Sequence, residues 1–241
     1  MELTILIPCL NEANSIGFCI AQAQKSIEEF GLEAEILVAD NGSADESVSI
    51  AEQMGARVIT VEKRGYGAAL IGGIHAARGR TIVMGDADGS YDFSDIQPFI
   101  LSIKAGNILV VGNRFKGGIE KGAMPFSHKI GVRALSALAG RRFHVKNIRD
   151  FHCGLRAFNR EKALELDFQC PGMEFATEMI ARFAMSGAKM AEVPTPLRKD
   201  KRGGKSHLRT VRDGLRHLYY IIYIKEPRKR KGNENERKKN F

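Results

Sequence analysis

Five short apolar runs, each closed by polar or glycine-bearing sequence, punctuate the first 113 residues. They are Leu3-Thr4-Ile5-Leu6-Ile7, Glu35-Ile36-Leu37-Val38-Ala39, Ala56-Arg57-Val58-Ile59-Thr60-Val61, Thr81-Ile82-Val83-Met84 and Asn107-Ile108-Leu109-Val110-Val111. Runs this short, apolar on both faces, predict buried strands of a parallel sheet rather than half-exposed strands of an antiparallel one. Pro8 is expected to end pairing of the first strand and to start a rigid loop. Between and beyond the runs the period lengthens. A helix is expected from near Glu46, capped by Ser43 or Asp45. The small residues from Ala68 to Ala77 suit a helix packed tightly on the sheet. Residues 126–143 place Ile130, Ala134, Ala137 and Leu138 on one side of a helix, and Glu174 and Glu178 stand four apart on another. The predicted architecture is α/β, a single domain with a mostly parallel central sheet flanked by helices.

In such sheets ligands bind at the carboxyl ends of strands, and three of the predicted strands end in acid-bearing loops. The first leads into Pro8-Cys9-Leu10-Asn11-Glu12, the second into Asp40-Asn41-Gly42-Ser43-Ala44-Asp45, and the fourth into Asp86-Ala87-Asp88-Gly89. Two carboxylates one residue apart at a strand tip suit a hard divalent cation that also carries phosphate oxygens. Asp40 is placed to accept hydrogen bonds from a base or ribose. A dinucleotide-binding loop is not the explanation: the glycines at Gly65 and Gly67 follow the third strand, not the first, and Leu70 stands where a third small residue is required. Lys63 or Arg64 in that loop are candidates to neutralise phosphate.

Composition and charge narrow the partners. The 241 residues are 44% apolar, enough for one sizeable core. Residues 1–113 carry 7 basic and 15 acidic side chains, residues 114–149 carry 9 and 1, and residues 200–241 carry 14 and 5. The net charge of +9 is therefore concentrated in two segments. No reading helix or aromatic stacking sheet accompanies the basic segments, so nucleic acid is not an expected partner. An anionic membrane surface fits better. Leu215-Arg216-His217-Leu218-Tyr219-Tyr220-Ile221-Ile222-Tyr223-Ile224 mixes apolar bulk with interfacial tyrosines, and polybasic Lys225 and Arg228 to Lys231 follow. No segment approaches the roughly 20 apolar residues that span a bilayer. Cys9, Cys19, Cys153 and Cys170 have no paired metal spacing, and no signal peptide precedes the first strand, so reduced cytosolic thiols are expected, with His152-Cys153 a packing feature.

The ordered loops Pro8-x-x-Asn11-Glu12, Asp40-x-Gly42-Ser43-x-Asp45 and Asp86-x-Asp88 resemble the donor site of a family 2 glycosyltransferase. Asp150 to Phe158, Gly172 to Met179, Val193 to Arg198 and Ser206 to Leu218 are similar to blocks of bacterial polyprenyl-phosphate glucose and mannose synthases, so the likeness runs over residues 3–227. The resemblance implies a GT-A type domain over residues 1–224, with a nucleotide-sugar-binding half (1–113) and an acceptor-binding half with interfacial helices (114–224). Residues 225–241 would form a basic, disordered tail. It implies a donor site of Pro8, Leu10, Asn11, Glu12, Asp40, Asp86, Ala87 and Asp88. Mg2+ or Mn2+ would be held by Asp86 and Asp88, and Asp88, Arg114 and Asp150 are the catalytic candidates. Acceptor phosphate would meet Lys129, Arg133, Arg198, Arg202 and Lys205.

The expected reaction moves a hexose from UDP-glucose or GDP-mannose to polyprenyl phosphate with inversion, on the cytoplasmic face of the membrane. Two departures stand out. Ser90 replaces the Gln or His found two residues after the metal loop in many relatives, and the basic loop runs Lys201-Arg202-Gly203-Gly204-Lys205. Many relatives also continue into transmembrane helices, so a peripheral form, or a separate membrane-embedded partner, is expected here. Transfer to a glycan or protein hydroxyl, with Asp150 or Glu174 as general base, and nucleotide-sugar binding without turnover are the alternatives.

Overall fold

A computed structural model describes residues 1–203 and 210–224. Lys205 and the tail at 225–241 lie outside the described residues. Seven strands form one sheet: β1 (Leu3–Cys9), β2 (Ala34–Asp40), β3 (Arg57–Thr60), β4 (Thr81–Met84), β5 (Leu109–Asn113), β6 (Arg156–Asn159) and β7 (Met190–Pro194). Their order is β3-β2-β1-β4-β6-β5-β7. All pairings are parallel except those of β6, which runs antiparallel to β4 and β5. The helices are α1 (Ile16–Glu29), α2 (Ser47–Gln53), α3 (Tyr66–Ala76), α4 (Gln97–Lys104), the single turn α5 (Arg114–Gly117), α6 (Phe126–Arg142), α7 (Arg160–Glu165), α8 (Phe175–Met185) and α9 (Thr210–Tyr223).

The predicted α/β architecture is present, and the five apolar runs are strands. Pro8 does not end the first of them: β1 continues to Cys9, with Pro8 paired to Ala39. The reason lies in the ladder. Leu6 faces β4, its carbonyl accepting from Gly85, and Pro8, two residues on, faces the same way. The β1–β4 pairing stops at Leu6, so the missing proline N–H is not needed there. The small residues of α3 also act as expected. A Cβ at Gly73 would lie 2.3 Å from Leu6 Cδ1, and one at Gly72 would lie 2.7 Å from Val61 Cγ2, so these glycines let the helix approach the sheet.

The reversal at β6 shapes the site. Arg156, its first residue, pairs with Met84 at the end of β4 and with Val111 near the end of β5. The segment that precedes β6 is thereby delivered to the edge where β1, β2, β4 and β5 end. The parallel strand β7 reaches the same edge, with Pro194 beside Asn113, and sends residues 195–203 across it.

Helix α9 closes the far side, packing on α6 and α8. His217 of α9 meets His152 edge to face at 4.5 Å between ring centroids. His217 Nδ1 bonds Thr177 Oγ1 at 2.8 Å, and His152 Nδ1 lies 3.3 Å from Ser136 Oγ. Burial, then Arg156 and Arg216, holds His217 down to about 4, and burial with the neighbouring His217 lowers His152 as well. Both rings therefore stay neutral when folded but protonate in the unfolded chain near 6.5. The His217 contribution is present above that pH and is lost as pH falls toward 4, at up to about 1.4 kcal/mol per pH unit, and His152 acts in the same direction. Denaturant unfolding of wild type against His217→Phe should thus show a stability difference that shrinks between pH 7 and pH 5. A difference independent of pH would exclude the pair as its source.

Candidate donor and acceptor site

The centre of the strand-end edge is the Asp86-Ala87-Asp88 turn after β4. Asp86 Oδ1 accepts from the Tyr66 hydroxyl at 2.8 Å, at the first turn of α3. Its other oxygen packs against Gly154, where a Cβ would lie only 2.4 Å away. Gly154 is itself fixed, its N–H donating to the Tyr91 hydroxyl at 2.9 Å. Burial, then the neighbouring Asp88 charge, pushes Asp86 up to about 6. Asp88 Oδ1 accepts from the Ser90 N–H at 2.9 Å, while Oδ2 faces the Arg202 guanidinium at 3.0 Å.

The loops after β1 and β2 are laced together. Asn11, at φ 54°, donates its N–H to Ser43 Oγ and accepts from the Ala44 N–H. The Glu12 N–H donates to Ser47 Oγ at 2.8 Å, and the Ala13 N–H to Asp45. Asp45 also takes the Ser47 N–H, but the N-cap of α2 is Glu46, whose side chain makes no cap bond, so neither Ser43 nor Asp45 occupies the cap position. Asp40 is buried and accepts from the N–H groups of Gly42 and Ser43. Those bonds leave room for a further donor, because a carboxylate accepts about four. Arg64 instead donates to the carbonyls of Asn41 and Gly42, so it secures the loop and does not point to a free phosphate.

Arg114 and Asp150 form a buried pair beside this turn. Arg114 Nε and Nη2 donate to the two oxygens of Asp150 at 2.8 and 2.7 Å, and the Arg114 N–H adds a third bond. Asp150 is 0% exposed and Arg114 7%. The His152 N–H also donates to Asp150 Oδ1. Asp150 is therefore engaged on both oxygens, by Arg114 rather than by its neighbours Arg149 or Arg156. Glu174 pairs with Arg216 at 2.7 Å and Glu178 with Arg182 at 2.8 Å.

Of the five basic residues expected at the acceptor phosphate, the four described ones do not come together. Arg202 bridges Glu12, at 2.9 Å, and Asp88, and Arg198 pairs with Asp92 at 2.7 Å. Arg133 stacks on Phe115, 4.5 Å from the ring centroid, in a separate cleft under α6. Lys129 lies on α6 and Lys205 outside the described residues. Segment 198–203 is strapped over the metal loop by the Arg198 N–H to Ser90 O and the Lys201 N–H to Asp88 O. Arg202 O also accepts from Asn14 Nδ2, and the Lys201 ammonium sits 4.1 Å over the Phe18 ring. Sequence reasoning missed Tyr66 and Gly154, which clamp Asp86, and Arg156, which donates to the carbonyls of Cys153, Phe151 and Ala176. The sole signal for Arg156 was a charge set between apolar Leu155 and Ala157-Phe158.

The donor set fits Mg2+ or Mn2+. Among the described residues no third His, Cys, Asp or Glu completes a protein cage, which suits ions that take one or two carboxylates and fill the rest of their shell from phosphates and water. Arg202 already places a cation against Asp88 Oδ2.

Residues 4–166 match the family described as Glycosyl transferase family 2. The low-salt glycan biosynthesis hexosyltransferase Agl6 of Haloferax volcanii is 33% identical over 91% of this chain, which spans 53% of that protein. The dolichyl-phosphate hexose transferase of the same organism is 31% identical, with 86% of each chain covered. The fold is shared with glucosyl-3-phosphoglycerate synthase of Mycobacterium tuberculosis, solved with Mn2+, UDP and glucosyl-3-phosphoglycerate, at a TM-score of 0.71 and 21% identity over 92% of this chain and 78% of that one. The same enzyme has also been solved with Mg2+ and UDP, at a TM-score of 0.70 and 22% identity over 93% of this chain and 80% of that one. The chain belongs to glycosyltransferase family 2, and its sheet with helices on it is the GT-A fold.

Removing one partner of a buried ion pair leaves the other charge unsatisfied, at a cost of about 3–5 kcal/mol. Asp150→Ala should lower unfolding stability by that amount, whereas Glu165→Ala, at the exposed Lys162 pair, should change it by less than about 1 kcal/mol. Equal effects in urea titrations would show that Arg114 does not depend on Asp150.

Proposed function

We propose that the chain is an inverting hexosyltransferase that moves one sugar from UDP-glucose or GDP-mannose to polyprenyl phosphate at a membrane surface. The observation that carries this reading is that the chain combines the Asp86/Asp88 turn with an exposed apolar face on α6 and α9. Phe126, Ile130 and Leu138 of α6 are 76%, 56% and 39% exposed, and Leu215, Tyr219, Ile222 and Tyr223 of α9 are 60%, 67%, 53% and 64% exposed. The two helices pack together. An apolar face carrying two tyrosines and flanked by Lys129 and Arg133 suits an anionic bilayer. Among the described residues no helix is long and apolar enough to cross one.

In this mechanism the loops after β1 and β2 take the nucleoside, with Asp40 accepting from base or ribose. Asp86 and Asp88 would hold Mg2+ or Mn2+, whose charge would offset that on the departing diphosphate. Arg114, kept permanently charged and fixed in direction by Asp150, faces the phosphates. An oxygen of the acceptor phosphate attacks the anomeric carbon from the side opposite the departing diphosphate. The bond to the diphosphate oxygen breaks, and the nucleoside diphosphate leaves with the electron pair. The attacking oxygen is already ionised near neutral pH, so no side chain has to take a proton. The buried, doubly engaged Asp150 is consistent with that, since a general base needs a free oxygen within reach of substrate. Arg198 and Arg202, on the segment over the metal loop, are placed to follow the phosphates when the segment moves.

A panel of nucleotide-sugars with Mn2+ or Mg2+, with and without a short-chain polyprenyl phosphate, should give a lipid-linked sugar from one donor. Asp88→Ala should reduce that transfer by roughly 100-fold or more while leaving circular dichroism unchanged. Donor hydrolysis without lipid product, or full transfer by the variant, would overturn the proposal.

A further inference from the structure

A cleft of about 890 Å³ opens between α6 and the connection that follows it, with Phe115, Arg133, Ala137, Arg141, Lys146 and Arg149 in its lining. Asp86, Asp88, Arg114 and Asp150 do not line it. A group bound in the cleft is therefore not at the reacting centre. Its charge is one-sided. Lys116, also in the lining, is paired with Glu192, but Arg133, Arg141, Lys146 and Arg149 have no carboxylate partner among the described residues. Four uncompensated cations around one concavity favour an anion. Phe115, Ala137, Val145 and Ile148 add an apolar wall.

The helix relates the cleft to the exposed apolar face. At about 100° per residue, Arg133, Ala137 and Arg141 lie within roughly 60° of Ile130 around α6. The cleft's two helical cations, Arg133 and Arg141, and the exposed Ile130 and Phe126 thus share one side of the helix. A ligand that satisfies both carries a phosphate head and an apolar tail.

We infer that this cleft binds the phosphodiester of an anionic phospholipid, distinct from the acceptor, and so fixes the orientation of the chain on the bilayer. The inference rests on the membrane-surface reading above and adds to it a specific headgroup site. Dihexanoyl phosphatidylglycerol, held below its micelle concentration, should bind the full chain saturably by calorimetry. Arg141→Gln/Lys146→Gln should weaken that binding 10-fold or more, and Lys25→Gln/Lys104→Gln, which removes two exposed charges elsewhere, should not. Dihexanoyl phosphatidylcholine should bind neither protein.

Three results would overturn the inference: binding unchanged in the cleft variant, equal loss in both variants, or displacement of the lipid by equimolar inorganic phosphate. Sedimentation with phosphatidylglycerol vesicles separates the two readings. Vesicle binding that survives the cleft variant in full removes the headgroup site and leaves membrane docking standing, whereas absence of vesicle binding by wild type removes both.

Discussion

Burying a guanidinium and a carboxylate is costly unless each satisfies the other, and Arg114 and Asp150 do so across 36 residues of chain. The pair ties the end of β5 to the loop before β6. Without it, the segment that carries Gly154 against Asp86 would be held at its start only by main-chain bonds to Glu192 and Ser136, and the guanidinium would have no fixed direction. Arg156 completes the arrangement from the other end by holding three main-chain carbonyls of the same region and of α8. Two buried arginines therefore shape one loop, the first through a charge and the second through backbone dipoles.

Topology explains why these groups meet at all. A purely parallel sheet would bring only strand ends to the ligand edge, and one reversed strand brings a strand beginning there as well. Because β6 lies between β4 and β5, its leading loop is inserted between the acidic turn of one neighbour and Arg114 at the end of the other. The parallel strand beyond, β7, then supplies the segment that covers the turn.

Much of this was legible in the sequence, for identifiable reasons. β1, β2 and β4 are buried parallel strands with uninterrupted apolar runs, so their tips and the acids on them could be located from pattern alone. β6 could not, because a four-residue strand that begins with arginine carries neither an apolar run nor an alternation long enough to register. β7 is half-exposed and carries Glu192 in its middle, which reads as a polar turn until its carboxylate is seen to take Asn113, Lys116 and the Asp150 N–H. Arg202 was expected at the acceptor phosphate, whereas its bonds to Glu12 and Asp88 span 190 and 114 residues, beyond any local spacing rule. The same limit hid the division of the described basic residues between the Asp86-Ala87-Asp88 turn and the cleft under α6.

The Arg202 bridge sets the local charge balance of the turn. Glu12 and Asp88 alone would repel each other, and the guanidinium between them holds both. An ion held at Asp88 Oδ2 would compete with that arginine for the same oxygen. Because the arginine belongs to the segment lying over the turn, such a competition would also loosen the cover.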